Sequence, residues 1–423
     1  MKYYFILIYR KIVCKETSKI MKNKELDNLR SKINNIDDEI LSLLSNRSKI
    51  VLEIGKHKKD NSVVDPDREQ KILDRLSSKF TGSYPKDTIV RLWREIFQSS
   101  EKLQKLTKEN IKSKRSIENI NVYKGGKAKL NNNKRVIKLS SNENPYGASP
   151  KAIELLETKN INHDLHRYPE IDGSSLREAI AKNFSIDSNR IILGSGSDEV
   201  LLFAALAFCQ DGDEILHANH GFEMYSIVSK VVGAVPKKIM EDVNFNLNIE
   251  NLIDQTNDAT KVIYIASPNN PTGTYLSRNQ LVKLMIVFLK YYSCYRRGIC
   301  RICAKDDYDK GFSLTDEYEN IILTRTFSKT YGLAALRVGW CYTSQKIADI
   351  INKIKPPFNT TTISQSLAIK ALEDKEHIEN SVKLNSEIKD WFEKELKLLN
   401  IKTRQTEGNF TLIETSEEEA EKI

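Results

Sequence analysis

The sequence has few cysteines, no long apolar run and no block of charge of one sign. Six cysteines in 423 residues do not indicate a disulfide scaffold, so we expect a reducing, cytoplasmic compartment. The apolar run from Tyr3 to Tyr9 is too short to span a bilayer, and no small-residue cleavage site follows it. The net charge of +9 (66 basic minus 57 acidic residues) is spread along the chain, which favours anionic metabolites over nucleic acid. We therefore expect neither a membrane nor a nucleic-acid partner.

The length allows two or more domains. A second methionine, Met21, stands just before the first segment with a regular pattern. We expect residues 1–20 to be an upstream extension with no fold of their own.

The segment after Met21 has the apolar spacing of a long helix. Starting from Leu26, apolar residues recur every three or four positions, at Leu29, Ile33, Ile36, Ile40, Leu43, Ile50 and Ile54. No proline or glycine interrupts them before Gly55, which predicts a helix of about 30 residues and roughly 45 Å. A small monomer cannot cover such a face, so the pattern predicts a partner chain and hence a homodimer.

Two cations interrupt the apolar face. Arg47 and Lys58 continue the same stripe about three turns apart. Buried cations need anionic partners, and two of them could hold both ends of a small dianion. The alternative is that each side chain extends to solvent at the helix edge, which is common for single lysines and arginines.

Two further helices add polar groups to the same interior. Asp65-Pro66 predicts an N-cap and first helical position of a second helix, and a third helix follows the turn at residues 82–85. The polar residues that we expect to converge are Asp65, Arg68 and Glu69 from the second helix, and Ser100 and Gln104 from the third.

Over residues 24–107 this set resembles the all-helical chorismate mutase family. The resemblance implies an all-α three-helix domain, here 21–107, that dimerises and converts chorismate to prephenate without a cofactor. The rearrangement needs no nucleophile, only a held conformer and stabilised charge on the breaking ether oxygen. The implied roles are Lys58 and Gln104 at the ether oxygen, Arg47 and the neighbouring chain's Arg30 at the carboxylates, Glu69 at the hydroxyl, and Asp65, Arg68 and Ser100 in binding or orientation.

Residues 108–134 are rich in Lys, Asn, Ser and Gly and predict a linker. In the remainder, 135–423, a predicted buried strand ends shortly before Lys329. A lysine in such a site can bind an aldehyde, and the neighbouring Thr326, Ser328 and Arg337 suit a phosphate. A surface lysine at a strand end is the alternative interpretation.

Several upstream turns follow predicted strands in a fixed order. They are Asn142 to Gly147 after a strand at Val136 to Ser141, Arg167-Tyr168-Pro169, Gly194 to Glu199 after a strand at Ile191 to Leu193, Gly-Phe222-Glu-Met-Tyr, and Ser267 to Gly273 after a strand at Val262 to Ala266. With Ser-Lys-x-x-Gly and Arg-Val-Gly around Lys329, they resemble the fold-type I aminotransferases that use pyridoxal 5'-phosphate (PLP), most closely the histidinol-phosphate aminotransferase group.

The resemblance implies a three-layer α/β domain that binds PLP. Lys329 would bind the cofactor aldehyde, Arg337 its phosphate, and Asn270 its phenolic oxygen. Phe222 would stack on the pyridine, and Tyr168 would reach the phosphate of the other subunit. The further implied cofactor-binding residues are Gly196, Ser197, Asp198, Thr326 and Ser328.

One segment, at about 285–304, departs from that family. The resemblance implies a buried strand ending in an aspartate that pairs with the pyridinium nitrogen. The chain instead has Tyr-Tyr-Ser-Cys-Tyr-Arg-Arg-Gly-Ile-Cys-Arg-Ile-Cys from Tyr291 to Cys303. Its three cysteines, Cys294, Cys300 and Cys303, lack a fourth ligand and match no usual zinc spacing, so we expect no metal.

The genetic code offers a better explanation of this segment. A/T-rich codons for residues 291–303, read one nucleotide later, translate as IIVVIDEAYAEF, which is the expected strand with its aspartate. We infer a local frame disruption that ends near Ala304. The chain also stops at Ile423, shortly after a strand predicted at Phe410 to Glu414, so we expect an incomplete aminotransferase domain.

Three functions remain open. The first, which we favour, is a working chorismate mutase attached to an aminotransferase-like domain with weak or no transamination. The second is a bifunctional enzyme that also aminates prephenate, an aromatic keto acid or a histidinol-phosphate-type substrate. The third is a non-enzymatic module that senses chorismate or prephenate.

Overall fold

The structure is a computed structural model that describes residues 2–57, 66–105, 113–118, 120–123, 138–158, 165–287, 292–296, 303 and 305–420. The chain forms two compact units, Met1–Lys112 and Ser113–Ile423. None of the described helices is both long and apolar enough to cross a membrane.

The N-terminal unit consists of three helices, α1 (Lys2–His57), α2 (Pro66–Lys79) and α3 (Lys86–Lys105). Helix α3 packs against both α1 and α2. Among the side chains that the structure describes, each helix contributes one buried apolar residue to the interior, and these are Val51, Leu73 and Phe97. The second and third helices begin where the sequence predicted them.

Helix α1 is longer than predicted. We expected no fold for residues 1–20, but α1 runs for 56 residues from Lys2. No proline or glycine stands between Lys2 and Ile54, so the backbone has no helix-ending residue there. The seven apolar residues of the predicted stripe are 43–68% exposed in the single chain.

The C-terminal unit is built on a seven-stranded sheet with the order β1-β7-β6-β5-β4-β2-β3, in which β7 is antiparallel to both neighbours and the other pairs are parallel. The strands are β1 (Ile191–Gly194), β2 (Glu214–Ala218), β3 (Val235–Ile239), β4 (Thr260–Ala266), β5 (Tyr292–Arg296), β6 (Ile321–Thr326) and β7 (Gly339–Thr343). A small sheet pairs β8 (Lys402–Arg404) with β9 (Leu412–Glu414).

The described helices of this unit follow in chain order. They are α4 (Arg115–Glu118), α5 (Pro150–Glu157), α6 (Ser174–Phe184), α7 (Ser197–Phe208), α8 (Met224–Val232), α9 (Ile249–Asp254), α10 (Arg278–Val287), α11 (Phe312–Glu317), α12 (Gln345–Ile354), α13 (Thr362–Glu373), α14 (Lys375–Leu398) and α15 (Glu417–Ala420). Successive strand residues belong to two separate apolar clusters. Ile263 and Leu323 belong to one, and Tyr264 and Ile322 belong to the other. Because successive strand residues point to opposite faces, these clusters are the two outer interfaces of a three-layer arrangement.

One strand predicted in this unit is not formed over its described residues. Residues 138–141 form no strand, and residues 136 and 137 lie outside the described residues. Instead of joining a ladder, the Ser141 carbonyl accepts a hydrogen bond from Lys329 Nζ at 2.7 Å, and Lys138 pairs with Glu143 at 2.7 Å within its own loop. The predicted linker, 108–134, contains the short helix α4.

Candidate functional site

The interior of the N-terminal unit brings together three of the polar residues that the sequence singled out. An Arg47 Nη1 donates to Ser100 Oγ on α3, and the Arg47 guanidinium lies 5.8 Å from the centre of the Phe97 ring. Burial lowers the pKa of Arg47, and the nearby carboxylate of Glu69 on α2 opposes that shift. All three helices therefore meet at a half-buried guanidinium.

Ser100 is itself fixed by the backbone of its helix. Its hydroxyl donates to the Ile96 carbonyl at 2.5 Å, so its oxygen lone pairs face the arginine. A serine inside a helix often donates in this way to the carbonyl four residues earlier. Here it orients the hydroxyl as an acceptor for Arg47.

Arg30 lies far from this cluster along α1. It is exposed and pairs with Asp27 at 3.3 Å on the helix surface. The separation from Arg47 is 47 − 30 = 17 residues, or about 25 Å along a straight helix. Arg30 therefore cannot contribute to the Arg47 site of its own chain.

The other mutase residues are only partly described. Lys58 and Asp65 lie outside the described residues, and so does the side chain of Gln104. Arg68 is exposed on α2, one residue before the half-buried Glu69. The assignments of Lys58, Asp65, Arg68 and Gln104 stay predictions.

In the C-terminal unit, the fully buried strand β6 leads directly to Lys329, as predicted. The lysine is half-buried and lines a cleft of about 670 Å³ at the carboxyl end of the parallel strands. This is where open α/β sheets place their ligands. Lys329 Nζ donates to the carbonyl of Ser141, a contact that the sequence did not predict because it joins residues 188 positions apart.

One end of the cleft is an anion cradle at the start of α7. Gly196 precedes the helix with φ +87°, and Ser197 and Asp198 form its first turn. Opposite them, Thr326 Oγ1 donates to Ser328 Oγ at 3.0 Å. Helix N-terminal amides and two hydroxyls together suit a phosphate.

Arg337 completes the cradle from a left-handed backbone conformation with φ 52°. Its Nη1 lies 3.5 Å from Ser328 Oγ, and its Nη2 lies 3.7 Å from the carboxylate of Asp198. A Cβ at position 196 would overlap the Arg337 guanidinium. Glycine at this position is favoured by the positive φ, and a larger residue would also displace the guanidinium.

Other predicted cofactor residues divide into two groups. Phe222 and Asn270 line the cleft, as the resemblance implies. Tyr168 is 80% exposed and stacks on Phe358 with ring centres 4.5 Å apart, so its predicted role at the other subunit's phosphate stays a prediction. Tyr123, an aromatic residue in the predicted linker, lines the cleft and was missed.

The residues of the cleft suit the phosphate and the aldehyde of PLP, but they do not suit its ring nitrogen. The cradle suits the phosphate, and Lys329 suits the aldehyde. The strand that should end in a carboxylate for the ring nitrogen is β5, and it ends at Arg296. Because the residue set does not supply that carboxylate, no transamination step follows from it.

No described group of histidine, cysteine and acidic side chains could hold a metal ion. Cys303 is half-buried, whereas Cys300 and the side chain of Cys294 lie outside the described residues.

Comparison with known proteins places this fold in a family. The protein-family model for aminotransferase class I and II matches residues 134–422. The protein-family model for chorismate mutase type II matches residues 29–105. The histidinol-phosphate aminotransferase of Dinoroseobacter shibae is 38% identical over 304 residues, which are 70% of this chain and 81% of that protein. The one from Roseobacter denitrificans is 37% identical over 73% of this chain and 85% of its own length.

Solved structures show the same fold. The histidinol-phosphate aminotransferase of Sinorhizobium meliloti in complex with PLP matches with a TM-score of 0.60 at 21% identity, over 64% of this chain and 73% of its own. The aspartate aminotransferase of Thermotoga maritima matches with a TM-score of 0.60 at 23% identity, over 66% and 78%.

The chain therefore belongs to the class I and II aminotransferases, a PLP-dependent family. Within that class it is similar to histidinol-phosphate aminotransferases. It also carries a type II chorismate mutase domain on the N-terminal side of its aminotransferase domain.

Proposed function

We propose that the N-terminal unit is a working chorismate mutase that acts as a homodimer. The observation that carries this is the half-buried Arg47 held by Ser100, with Glu69 close enough to affect its pKa. A guanidinium in such surroundings needs an anion, and a planar carboxylate matches its fork of donors. Chorismate supplies two carboxylates and a hydroxyl.

These residues would act by holding the substrate in position and by stabilising the charge that develops on the ether oxygen. Arg47 holds one carboxylate, Glu69 accepts a hydrogen bond from the substrate hydroxyl, and Arg30 of the second chain holds the other carboxylate. Lys58 and Gln104 donate to the ether oxygen as its bond to carbon breaks. Donors placed where charge develops lower the barrier without any proton transfer.

The need for a second chain has two independent supports. The stripe from Leu29 to Ile54 is exposed in the single chain although its spacing is that of a helix seam. Arg30 is about 25 Å from Arg47 along the same helix, so it can serve a mutase site only in another copy. Dimerisation would therefore both cover the stripe and complete the site.

Ile36→Glu should convert the dimer into a monomer and abolish most mutase turnover. Ile36 is 55% exposed in the single chain and lies near the middle of the stripe, where a buried carboxylate would be unpaired. Sedimentation velocity gives the mass. Asp38→Ala is the control, because Asp38 lies about 200° around the helix from Ile36; a dimeric Ile36→Glu protein would contradict the proposal.

For the C-terminal unit, we propose a PLP-binding domain with weak transamination. Its intact phosphate cradle and Lys329 support cofactor binding, and the end of β5 at Arg296 argues against an efficient electron sink. The same cradle and lysine favour the bifunctional alternative, and the names of the relatives suggest a histidinol-phosphate-type substrate for it. Vigorous amination of prephenate, phenylpyruvate or such a substrate would establish that alternative.

Arg337→Ala should weaken PLP binding by roughly 10–100-fold. A charge-assisted hydrogen bond contributes about 1.5–3 kcal/mol, and 1.4 kcal/mol is tenfold in affinity. Equilibrium dialysis measures the dissociation constant. Arg404→Ala, which removes an arginine paired with Glu414 in the small sheet, is the control and should bind normally; equal affinity of both variants and the unmodified chain would show that the cradle is not the phosphate site.

Proton NMR of chorismate incubated with the chain separates enzyme from sensor. A mutase converts the chorismate resonances into those of prephenate. A sensor broadens them by binding and leaves their intensity unchanged. We expect conversion.

A further inference from the structure

Two loops of the C-terminal unit contribute to the wall of the cleft. The first follows β2 and contributes Phe222, and the second follows β4 and contributes Asn270. The resemblance implies that Phe222 stacks on the pyridine ring of PLP and that Asn270 binds its phenolic oxygen. Both residues lie outside the strands, so the distance between them depends on contacts between the two loops.

The side chain of Asn269 joins these loops. It belongs to the second loop, is only 7% exposed, and donates from Nδ2 to the His220 carbonyl of the first loop at 2.9 Å. A carbonyl can only accept, so the amide nitrogen must face it. The same Nδ2 lies 2.9 Å from Thr272 Oγ1. Both protons of the amide therefore have acceptors.

The contact continues as a directed chain of hydrogen bonds. Thr274 Oγ1 donates to the Phe245 carbonyl at 3.1 Å. Its single proton is used there, so Thr272 is the donor in the 2.9 Å contact between the two threonine hydroxyls. Thr272 in turn accepts from Asn269. The orientation of the Asn269 amide is thus fixed from both sides.

The backbone of Asn269 is held as well. Its N–H donates to the Thr274 carbonyl at 2.7 Å, and its carbonyl accepts from the Gly273 N–H at 2.9 Å. Asn270 follows directly in the chain. A shift of the Asn269 side chain would therefore change the place of Asn270 relative to the first loop.

We infer that Asn269 is a positioning residue that sets the distance between Phe222 and Asn270, and with it the fit of the cleft to the pyridoxal ring. Asn269 is not itself among the described residues that line the cleft, so it acts through its neighbours. The inference rests on the proposed binding of PLP, but the contact between the loops is present in the ligand-free chain and can be tested there.

Asn269→Asp removes the two amide donors and keeps the shape of the side chain. Its carboxylate oxygens would face the His220 carbonyl, and two acceptors repel each other. Thr343→Val is the matched control. It removes another buried hydrogen bond, from Thr343 Oγ1 to the Ile321 carbonyl at 2.6 Å, at the opposite end of β6 from the cleft.

Amide hydrogen exchange of the ligand-free chain, measured by mass spectrometry, tests the contact itself. In Asn269→Asp we expect faster exchange in both loops, residues 219–223 and 267–274. In Thr343→Val we expect unchanged exchange in both. Faster exchange of residues 267–274 alone, or of neither loop, would overturn the inference whether or not the chain binds PLP.

Binding of PLP and of inorganic phosphate then separates the ring from the phosphate cradle. Equilibrium dialysis measures the first, and phosphorus-31 NMR titration the second. Asn269→Asp should bind PLP roughly tenfold more weakly, the effect of losing about one hydrogen bond, and should bind inorganic phosphate as the unmodified chain does. Thr343→Val should match the unmodified chain with both ligands.

The outcomes distinguish the inference from the proposed function. Unchanged PLP affinity in Asn269→Asp, or equal losses for PLP and phosphate, would overturn the inference and leave cofactor binding intact. Failure of the unmodified chain to bind PLP would refute the proposed cofactor binding, and the inferred fit to the ring with it. If circular dichroism shows that Asn269→Asp does not fold, Thr272→Val takes its place, with the same expected pattern and a smaller loss.

Discussion

Lys58→Ala should lower chorismate mutase turnover by about 10²–10³-fold, the usual loss when one donor to a developing oxyanion is removed. We expect the helical dimer to remain, because the apolar stripe of α1 is unchanged. The initial rate of chorismate absorbance loss measures turnover, and circular dichroism with sedimentation velocity measures fold and mass.

Lys49→Ala provides the matched control for this prediction. Lys49 is an exposed lysine on α1, and its replacement makes the same change in net charge as Lys58→Ala. It should retain full turnover. Undiminished turnover in Lys58→Ala, or an equal loss in Lys49→Ala, would remove Lys58 from the site.

Replacing residues 291–302 by IIVVIDEAYAEF should raise the free energy of unfolding of the C-terminal unit by several kcal/mol. The register partners of β5 are among the most buried residues of the sheet: Ile263, Tyr264 and Leu323 are each at most 1% exposed. An apolar side chain fully buried in such a position contributes about 1.5–3 kcal/mol. Urea unfolding followed by the fluorescence of the buried Trp340, with Trp93 and Trp391 replaced by phenylalanine, measures the change.

A shorter replacement tests whether the strand itself is responsible. Changing only residues 297–302 to EAYAEF leaves β5 as it stands and should give little of the stabilisation. If this shorter change stabilises the unit as much as the full one, burial at β5 is not the cause. Reading the nucleotides across codons 285–305 would test the frame disruption directly.

The sequence predicted best those elements whose ends are set by local chemistry. Helix α2 begins at Pro66 because proline needs no amide donor in the first turn, and helix α7 follows Gly196 because glycine tolerates its positive φ. The buried β-branched run of β6 was equally clear. In these cases the deciding interactions lie within a few residues.

Long-range contacts decided the elements that the sequence did not predict. Residues 138–141 were predicted as the end of a strand, but the Ser141 carbonyl bonds to Lys329 across 188 positions. Tyr123 lines the cleft although its local sequence resembles a linker. The convergence of Arg47 and Ser100 was expected from helix faces, and the separation of Arg30 from Arg47 was expected from the uninterrupted helix predicted after Leu26.

A mutase site shared between two chains is tested most directly by complementation. In the proposed symmetric dimer, each site would take Arg47 from one chain and Arg30 from the other. Arg30→Ala and Arg47→Ala chains with different affinity tags, co-expressed and purified as heterodimers, contain one intact site and one that lacks both arginines. The account predicts that each homodimer is nearly inactive and that the heterodimer consumes chorismate at about half the rate of the unmodified dimer. A heterodimer no more active than the two homodimers would contradict it.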